Sequence, residues 1–455
     1  MARPKFVNVD RDTPLLLPPD LREWIQDDDL AHFILEVLRG TDLTTAKVNP
    51  RGTGSAQYPP EMMLAVLIYC YATGVFGSRQ IEALTYRHVS VRYLAGNHHP
   101  DHDTICAFRR TQSALLKAAF TQVLVLAAEM GLARVGRVCV DGTKILAAAA
   151  KRRTFNENAL VLRELHLQEE INALVQQAEQ ADAQPAPAAP EAALPKELAS
   201  RQARLAQLQA ARQRLHEQTI ARAQARRADQ AAWAQDPCGE RPETLRQLPD
   251  ESDRINLTDP ESGLMKLAQA DGFQQGYNAQ LAVSAERVAI ILATGVSAQT
   301  HDRHQLLPMA QAAVAHSPVP VTTVVGDTGY DHARQATRAE ATLQLEVLCP
   351  PQAPPAQAGQ SRTKISRTKS AAHQRSAELR TRQRVRAESD EGRQWLRERR
   401  TTVEPAFGWI KATLGFRRFH LRGLARVSLE WELVALAYNC RRLCHRHVRQ
   451  IDLKA

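Results

Sequence analysis

Two short β-branched runs, each closed by an aspartate, restrict this 455-residue chain to folds that contain a sheet. Val138-Cys139-Val140 runs into Asp141 and is followed by Gly142-Thr143-Lys144. Val321 to Gly326 runs into Asp327 and is followed by Thr328-Gly329-Tyr330. Runs of this composition next to glycine are strand signals. A third acid, Glu404, lies in Arg400-Thr401-Thr402-Val403-Glu404-Pro405, at the start of a stretch that reads as a helix. Single acids at strand ends are common. Two at strand ends and one on a helix can converge on hard cations, the layout that two-metal phosphoryl transfer needs.

The remaining pattern predicts a mixed sheet flanked by helices. Strands are expected at Gly276–Val283 and Val288–Val296, antiparallel across a short turn, and at Leu343–Cys349 before Pro350-Pro351. A helix over His304–His316 leads into the Asp327 strand, and helices fill Arg393 to Arg446. Residues 1–130 read as all-helical. Glu61–Thr73 is apolar around much of its circumference and should be buried. Ser78 is placed to cap a helix through Arg87, with Glu82 supporting the cap, and Asp103 or Thr104 to cap another over Ile105–Leu116. Short helices with Arg109 and Arg110 on the later one resemble a helix-turn-helix module; a plain helical subdomain is the blander reading.

Residues 155–235 carry Leu160, Leu167, Ile171 and Leu174, then Leu198, Leu205, Leu208 and Leu215, at helical spacing on either side of a proline run at 185–190. This predicts a coiled helical hairpin inserted after the Asp141 strand, either a spacer or a contact surface. Residues 350 to about 388 read as a basic flexible loop. The chain therefore divides into a helical unit (1–130), a catalytic unit (131–154 and 236–349), the hairpin (155–235), the loop (350–390) and closing helices (391–455).

A net charge of +10 and a pI near 9.4 favour a polyanionic partner, although a solvated basic surface would look similar. Residues 361–400 hold 13 Lys/Arg against 5 Asp/Glu, so most of the excess lies just before Glu404. Seven cysteines without paired spacing suit a reduced compartment. No signal peptide and no apolar run of about 18 residues is visible, so a soluble intracellular protein is expected.

Arg400, Glu404 and Lys411 fall on roughly one helical face, which suits a metal carboxylate flanked by phosphate-binding cations; by spacing alone, a solvated salt-bridge stripe is the better reading. His98, His99, Asp101, His102 and Asp103 read as a capped turn before a metal site, and Cys440, Cys444, His445 and His447 as core and basic surface. Asp259, Asp302 and Asp331 are competing acids: Asp259 reads as a turn and Asp302 as a helix cap. Trp233 and Trp409 read as packing residues.

Several motifs together resemble DDE-type transposases of bacterial insertion sequences, in the group with an InsH-like N-terminal domain. In order they are Tyr58-Pro59-Pro60-Glu61-Met62-Met63-Leu64, Pro100 to Ile105, Val140 to Lys144, Gly276-Tyr277-Asn278-Ala279-Gln280, Gly326 to Tyr330, Val403 to Lys411, Gly415 to Phe419 and Arg422-Gly423-Leu424. They span most of the chain outside the hairpin and the loop. The resemblance implies a ribonuclease-H-like core, with Asp141, Asp327 and Glu404 as catalytic and metal-binding residues for two Mg²⁺ ions, Mn²⁺ substituting. Arg400, Glu404 and Lys411 match a Tyr-x2-Arg-x3-Glu-x6-Lys signature, from which the chain departs at Arg397. Candidate phosphate contacts are Arg400, Lys411, Arg417, Arg418, Lys144, Arg109 and Arg110. The implied partners are double-stranded DNA, as element ends and target, and a second copy of the chain; no membrane partner is implied. The implied location is the bacterial cytoplasm, at the nucleoid. Two other readings stay open: a nuclease of the same fold without strand transfer, and an inactive DNA-binding scaffold.

Overall fold

The computed structural model describes residues 20–49, 56–132, 136–182, 193–235, 245–267, 272–286, 288–331, 333–352 and 371–452. The chain opens with α1 (Leu30–Arg39), capped by the Asp29 carboxylate, and α2 (Pro60–Ala72), in which every residue from Met63 to Ala72 is buried. α3 (Ser78–Arg87) starts without a side-chain cap, because its cap residue is Gly77 and Ser78 is already its first residue; Glu82 accepts instead from the backbone N–H of His102. After α4 (Val89–Leu94), α5 (His102–Thr111) is capped by Asp101, whose carboxylate accepts from the Thr104 N–H at 2.7 Å. The helix expected to continue to Leu116 breaks at Gln112, and α6 (Ser113–Glu129) begins there. The Gln112 amide exchanges two hydrogen bonds with the backbone of Lys47, which holds it out of helical geometry.

β1 (Arg137–Leu146) and β2 (Thr154–Phe155) precede the hairpin, α7 (Glu157–Asp182) and α8 (Ala193–Gln235). Arg201 pairs with Glu170, Arg212 with Glu164 and His216 with Glu157, so the two helices are antiparallel. The proline run at 185–190 lies outside the described residues. At the base of the hairpin, β3 (Ile255–Asn256) pairs with β2, and Ile255 joins Leu160, Leu208, Ala211 and Leu215 in a small core separate from the main one.

β4 (Gly263–Lys266), β5 (Phe273–Ser284) and β6 (Ile291–Ser297) follow, then α9 (Leu306–His316), β7 (Thr323–Val325), α10 (Ala333–Leu343) and β8 (Glu346–Leu348). β1 is central: β5 pairs with it antiparallel from Ser284 to Gly276, and β7 pairs with it parallel on the other side. β8 continues the parallel side, while β4 and β6 both pair with β5. This is the mixed sheet that the sequence predicts, with α10 and β4 added.

The basic segment holds one departure. Ala371–Glu388 is a helix, α11, where a flexible loop was expected; it contains no proline and is rich in Ala, Gln, Glu and Arg, all good helix formers. Residues 353–370 lie outside the described residues. α12 (Asp390–Gly408) passes into a π turn at Trp409–Thr413, and α13 (Leu424–Asp452) ends the fold.

α13 explains why the N-terminal helices do not form a core of their own. On one side Trp431 donates to the carbonyl of Gln280, and Asn439 exchanges two hydrogen bonds with the backbone of Ile291, fastening the helix to β5 and β6. On the other side it packs on α2 and α6. One continuous apolar core therefore runs from α1 to α13 through the sheet. Among the described residues, no single helix is long and apolar enough to cross a membrane.

Candidate active site

The parallel register of β1 and β7 pairs Cys139 with Val325; two residues further on, Asp141 lies within β1 and Asp327 just past the end of β7, at the cap of a short 3-10 turn. Burial raises the Asp141 carboxyl to about 6; the Asp327 charge pushes the same way, and the Arg399 guanidinium opposes both. Asp141 accepts from the N–H of Gly142, and Asp327 from that of Gly329 at 2.7 Å.

Glu404 reaches this pair through α12. Arg399, with its side chain 10% exposed, donates to Asp141 Oδ2 at 2.8 Å and to Glu404 Oε1 at 3.3 Å. Asp141 is 17% exposed and Glu404 55%, so the cluster opens to solvent on the Glu404 side. Arg400, the signature arginine, is exposed on the outer face of α12. Arg399 shares its face with Thr402, Val403 and Ala406, all buried, which is why it and not Arg400 meets the acids.

A fourth carboxylate stands beside them. Asp302 Oδ1 accepts from Asn278 Nδ2 at 2.7 Å and Gln280 Nε2 at 2.6 Å, both on β5. Buried Tyr330 in turn donates to Gln280 Oε1. A Cβ at Gly142 would lie 2.5 Å from Asp302 Oδ1 and closer still to the Gln280 amide, so a side chain there would have to push this hydrogen-bonded pair aside. A Cβ at Gly329 would lie 2.9 Å from Asp327 Oδ1 and 3.4 Å from Asp302 Oδ2, so these two carboxylates flank the same spot. Asp302 does not cap α9 with its side chain, as Gln305 is the cap residue and makes no such bond.

Cations gather where β1 leaves the acids. Lys411, in the π turn, donates to Thr143 Oγ1 and to the Lys144 carbonyl, and burial with the nearby Arg417 charge lowers its pKa. The chain after it runs beside β1: Leu146 bridges to Arg418, Phe419 N–H donates to the Leu146 carbonyl, and Arg422 donates to the Ala148 carbonyl. Arg417, Arg418 and Arg422 are exposed here, and Lys151, Arg152 and Arg153, also exposed, follow a few residues after Ala148. The last three and Arg422 were missed from sequence because their neighbourhood depends on this long-range pairing.

Arg109 does not belong with the phosphate contacts. It is 3% exposed and donates to Tyr71 Oη and the Phe76 carbonyl, 3.9 Å from Glu430, so it is an interior cation that DNA cannot reach. Arg110, next to it, is exposed. Asp259 is buried, accepting from Tyr277 Oη and the Gly423 N–H, and Asp331 accepts from the Gln352 N–H. His102 bonds Glu82 and His99 stacks on Tyr86, as fits a capped turn. Cys440 and Cys444 are buried, and Trp409 packs edge-on against Tyr438; the side chain of His447 lies outside the described residues.

The donor set suits a hard cation. Its oxygens are carboxylates, and Mg²⁺ keeps several waters while taking only one or two protein carboxylates. Among the described residues, no three His, Cys, Asp or Glu side chains are gathered tightly enough to enclose an ion. Asp141, Asp327 and Glu404 are carboxylates of this kind, set apart rather than closed around one point.

Comparison with known proteins gives two family models in chain order. Residues 19–111 match a transposase domain (DUF772), and residues 255–440 match the transposase DDE domain. The second match contains Asp327 and Glu404, and Asp141 joins them through the β1–β7 register. Searches of curated proteins and of solved structures return no match. With both models in the expected order around a mixed sheet, the chain belongs to the DDE transposases that carry this N-terminal transposase domain.

Proposed function

We propose that this protein binds the terminal inverted repeats of its own insertion sequence and catalyses Mg²⁺-dependent strand cleavage and strand transfer. The observation that carries this reading is that Asp141 and Asp327 each follow the paired Cys139–Val325 position by two residues, with Glu404 joined to Asp141 by Arg399. Asp141, Asp327 and Glu404 would hold the metal. When bound, Mg²⁺ supplies charge stabilisation at the scissile phosphate and a more acidic water. Asn278 and Gln280 hold Asp302 beside the site, and the Gly329 N–H orients the Asp327 carboxylate. Lys411, Arg417, Arg418 and Lys144 would bind phosphates on the strand beyond Asp141, as would Arg422 and Lys151 to Arg153. Arg400 and Arg110 are exposed and would meet DNA further out.

In this chemistry water attacks a phosphodiester and leaves a free 3′-OH. That hydroxyl then attacks a phosphate of the target: a new phosphodiester forms as the target's own P–O3′ bond breaks, and the proton lost by the attacking hydroxyl is balanced by the one the leaving 3′ oxygen takes up. No covalent enzyme intermediate is required. Joining two ends calls for two copies of the chain, so a homodimer on paired ends is part of the proposal.

The test is incubation of purified protein with Mg²⁺ and DNA carrying the element's ends, comparing wild type with Asp327→Ala. End cleavage followed by joining, lost by about 10³-fold in the variant, is the expected result, since the metal's contribution is several kcal/mol. Cleavage without joining would make the protein a nuclease. Binding with no Asp327-dependent chemistry would make it a scaffold.

A further inference from the structure

The inserted hairpin is anchored to the catalytic unit in a way that a passive spacer would not need. His216 pairs with Glu157, the first residue of α7, so residues 217–235 of α8 extend beyond their partner helix. This overhang lies along the catalytic unit. Gln218 donates to the Pro260 carbonyl at 2.9 Å, and Arg222 pairs with Asp253 at 2.7 Å. Near its far end, Arg334 of α10 donates to the Asp229 carbonyl at 3.3 Å.

Arg226 and Arg227 sit between these anchors. Arg226 is one helical turn beyond Arg222, on the face turned to the catalytic unit, and Arg227 is exposed. Neither forms an ion pair with an acid among the described residues, and nor does exposed Arg303. The loop they approach, 301–304, carries Asp302, whose carboxylate flanks Gly329 together with Asp327. Burial lowers the pKa of His304; the charge of Asp229 opposes this and the charges of Arg226 and Arg303 add to it, so both ends of this stretch of α8 reach that loop electrostatically. The acids thus have one cationic group beyond the end of β1, on Lys411, Arg417 and Arg418. A second stands beside the Asp302 loop and α10, and the inserted helix supplies half of it.

Cations without acid partners, held on a rigid helix beside a phosphoryl-transfer site, suit a polyanion that extends past the reacting phosphate. We propose that residues 217–235 of α8 form a second DNA-contacting surface, in which Arg226 and Arg227 bind backbone phosphates of the duplex whose scissile phosphate lies at Asp141 and Asp327. The proposal rests on the DNA-processing reading above and deepens it, because it assigns the inserted hairpin a place in substrate binding.

The experiment measures binding of full-length protein to an end-bearing duplex by fluorescence anisotropy over a salt series. Wild type is compared with Arg226→Gln/Arg227→Gln, with Arg227→Glu alone, and with Arg204→Gln on the part of α8 that lies against α7. Each phosphate contact adds roughly 1 to the slope of log K against log salt, so the double variant should be shallower by about 2. Arg227→Glu should weaken binding at low salt, while Arg204→Gln should match wild type. An unchanged slope in the double variant, or an equal loss in Arg204→Gln, overturns the proposal. Arg227→Glu alters a solvent-facing residue, so it remains informative if the double variant melts early. Cleavage is scored on the same wild-type sample with Asp327→Ala beside it. Absence of Asp327-dependent cleavage would sink the transposase reading and leave the salt slopes to judge the α8 surface independently.

Discussion

Asp141 and Glu430 are both acids withdrawn from solvent and facing an arginine, yet their carboxyls move in opposite directions. Burial raises Asp141 to about 6, with the charge of Asp327 adding to it and Arg399 only partly offsetting it. Burial also pushes Glu430 up, but the hydrogen bond from His420, the Arg109 charge and the Leu421 N–H together outweigh it and leave that carboxyl below its ordinary value. Ion-pair distance does not explain the difference, since Arg399 lies 2.8 Å from Asp141 and Arg109 lies 3.9 Å from Glu430. Satisfaction of the oxygens does. Glu430 accepts from Tyr71 Oη and His420 Nδ1 on one oxygen and from two backbone N–H groups on the other. Asp141 accepts from one N–H and one guanidinium and stands beside a second acid. The first arrangement joins α2, α5 and α13; the second leaves negative charge available to a cation. Buried acids stabilise only when their lone pairs are taken up.

The largest effect should come from breaking the satisfied site. Glu430→Leu strands Arg109 in the core and should cost about 3–5 kcal/mol in denaturant unfolding, whereas Arg109→Met with Glu430→Leu should recover much of it. A loss below about 1 kcal/mol for the single change would show that the joint is not held by this pair. Because Glu430 lies below the ordinary value of 4.5, its contribution is present above that pH and lost as pH falls through the folded value. The stability of Glu430→Gln should therefore fall less than that of wild type as pH drops below about 4.5.

These two regions also differ in how far the sequence discloses them. The two aspartates are visible because β-branched runs beside glycine are local signals, although Asp141 lies inside β1, which runs on to Leu146, and only Asp327 follows a strand end. The Arg109–Glu430 joint is not visible. Its partners are far apart in the chain, and nothing local separates an inward arginine on α5 from its exposed neighbour Arg110. Asp302 is visible in the sequence only as a competing acid that reads as a helix cap, since the donors that hold it at the site come from β5. Arg399 was missed at shorter range. The signature pointed to Arg400, but the buried face of α12 runs through Arg399, Thr402, Val403 and Ala406. The helix at Ala371–Glu388 was masked by its proline-rich, basic flank; composition averaged over the whole segment hid a stretch with good helix propensity.

Next in size is a change that crowds the open site. Gly142→Ala would place a methyl group against Asp302 and the Gln280 amide, displacing both from Asn278 and Tyr330. Overpacking of this kind costs about 1–3 kcal/mol. Gly408→Ala provides the control, since a Cβ there meets nothing within 4 Å. Equal stability of the two variants would mean that the Asp302 cluster has room to move, contrary to its close packing on β1.

The smallest effect is the most discriminating, because it should have the opposite sign to that at Glu430. A carboxyl raised to about 6 is destabilising whenever it is ionised in the folded protein. Asp141 therefore lowers stability above pH 6. The penalty shrinks as pH falls from about 6 to the ordinary 3.8, where folded and unfolded chains are both protonated. Asp141→Asn keeps an oxygen for Arg399 and removes the charge beside Asp327. In chelator at pH 7.5 it should melt above wild type, by about 1 kcal/mol after solvent screening and weakened pairing with Arg399 are allowed for. The advantage should vanish near pH 4, and strand cleavage should be lost at every pH. A variant less stable than wild type at pH 7.5 would mean that Arg399 satisfies Asp141 as fully as the joint satisfies Glu430. The contrast between the two acids would then fail, because the active-site carboxylate would be a stabilising group in its own right.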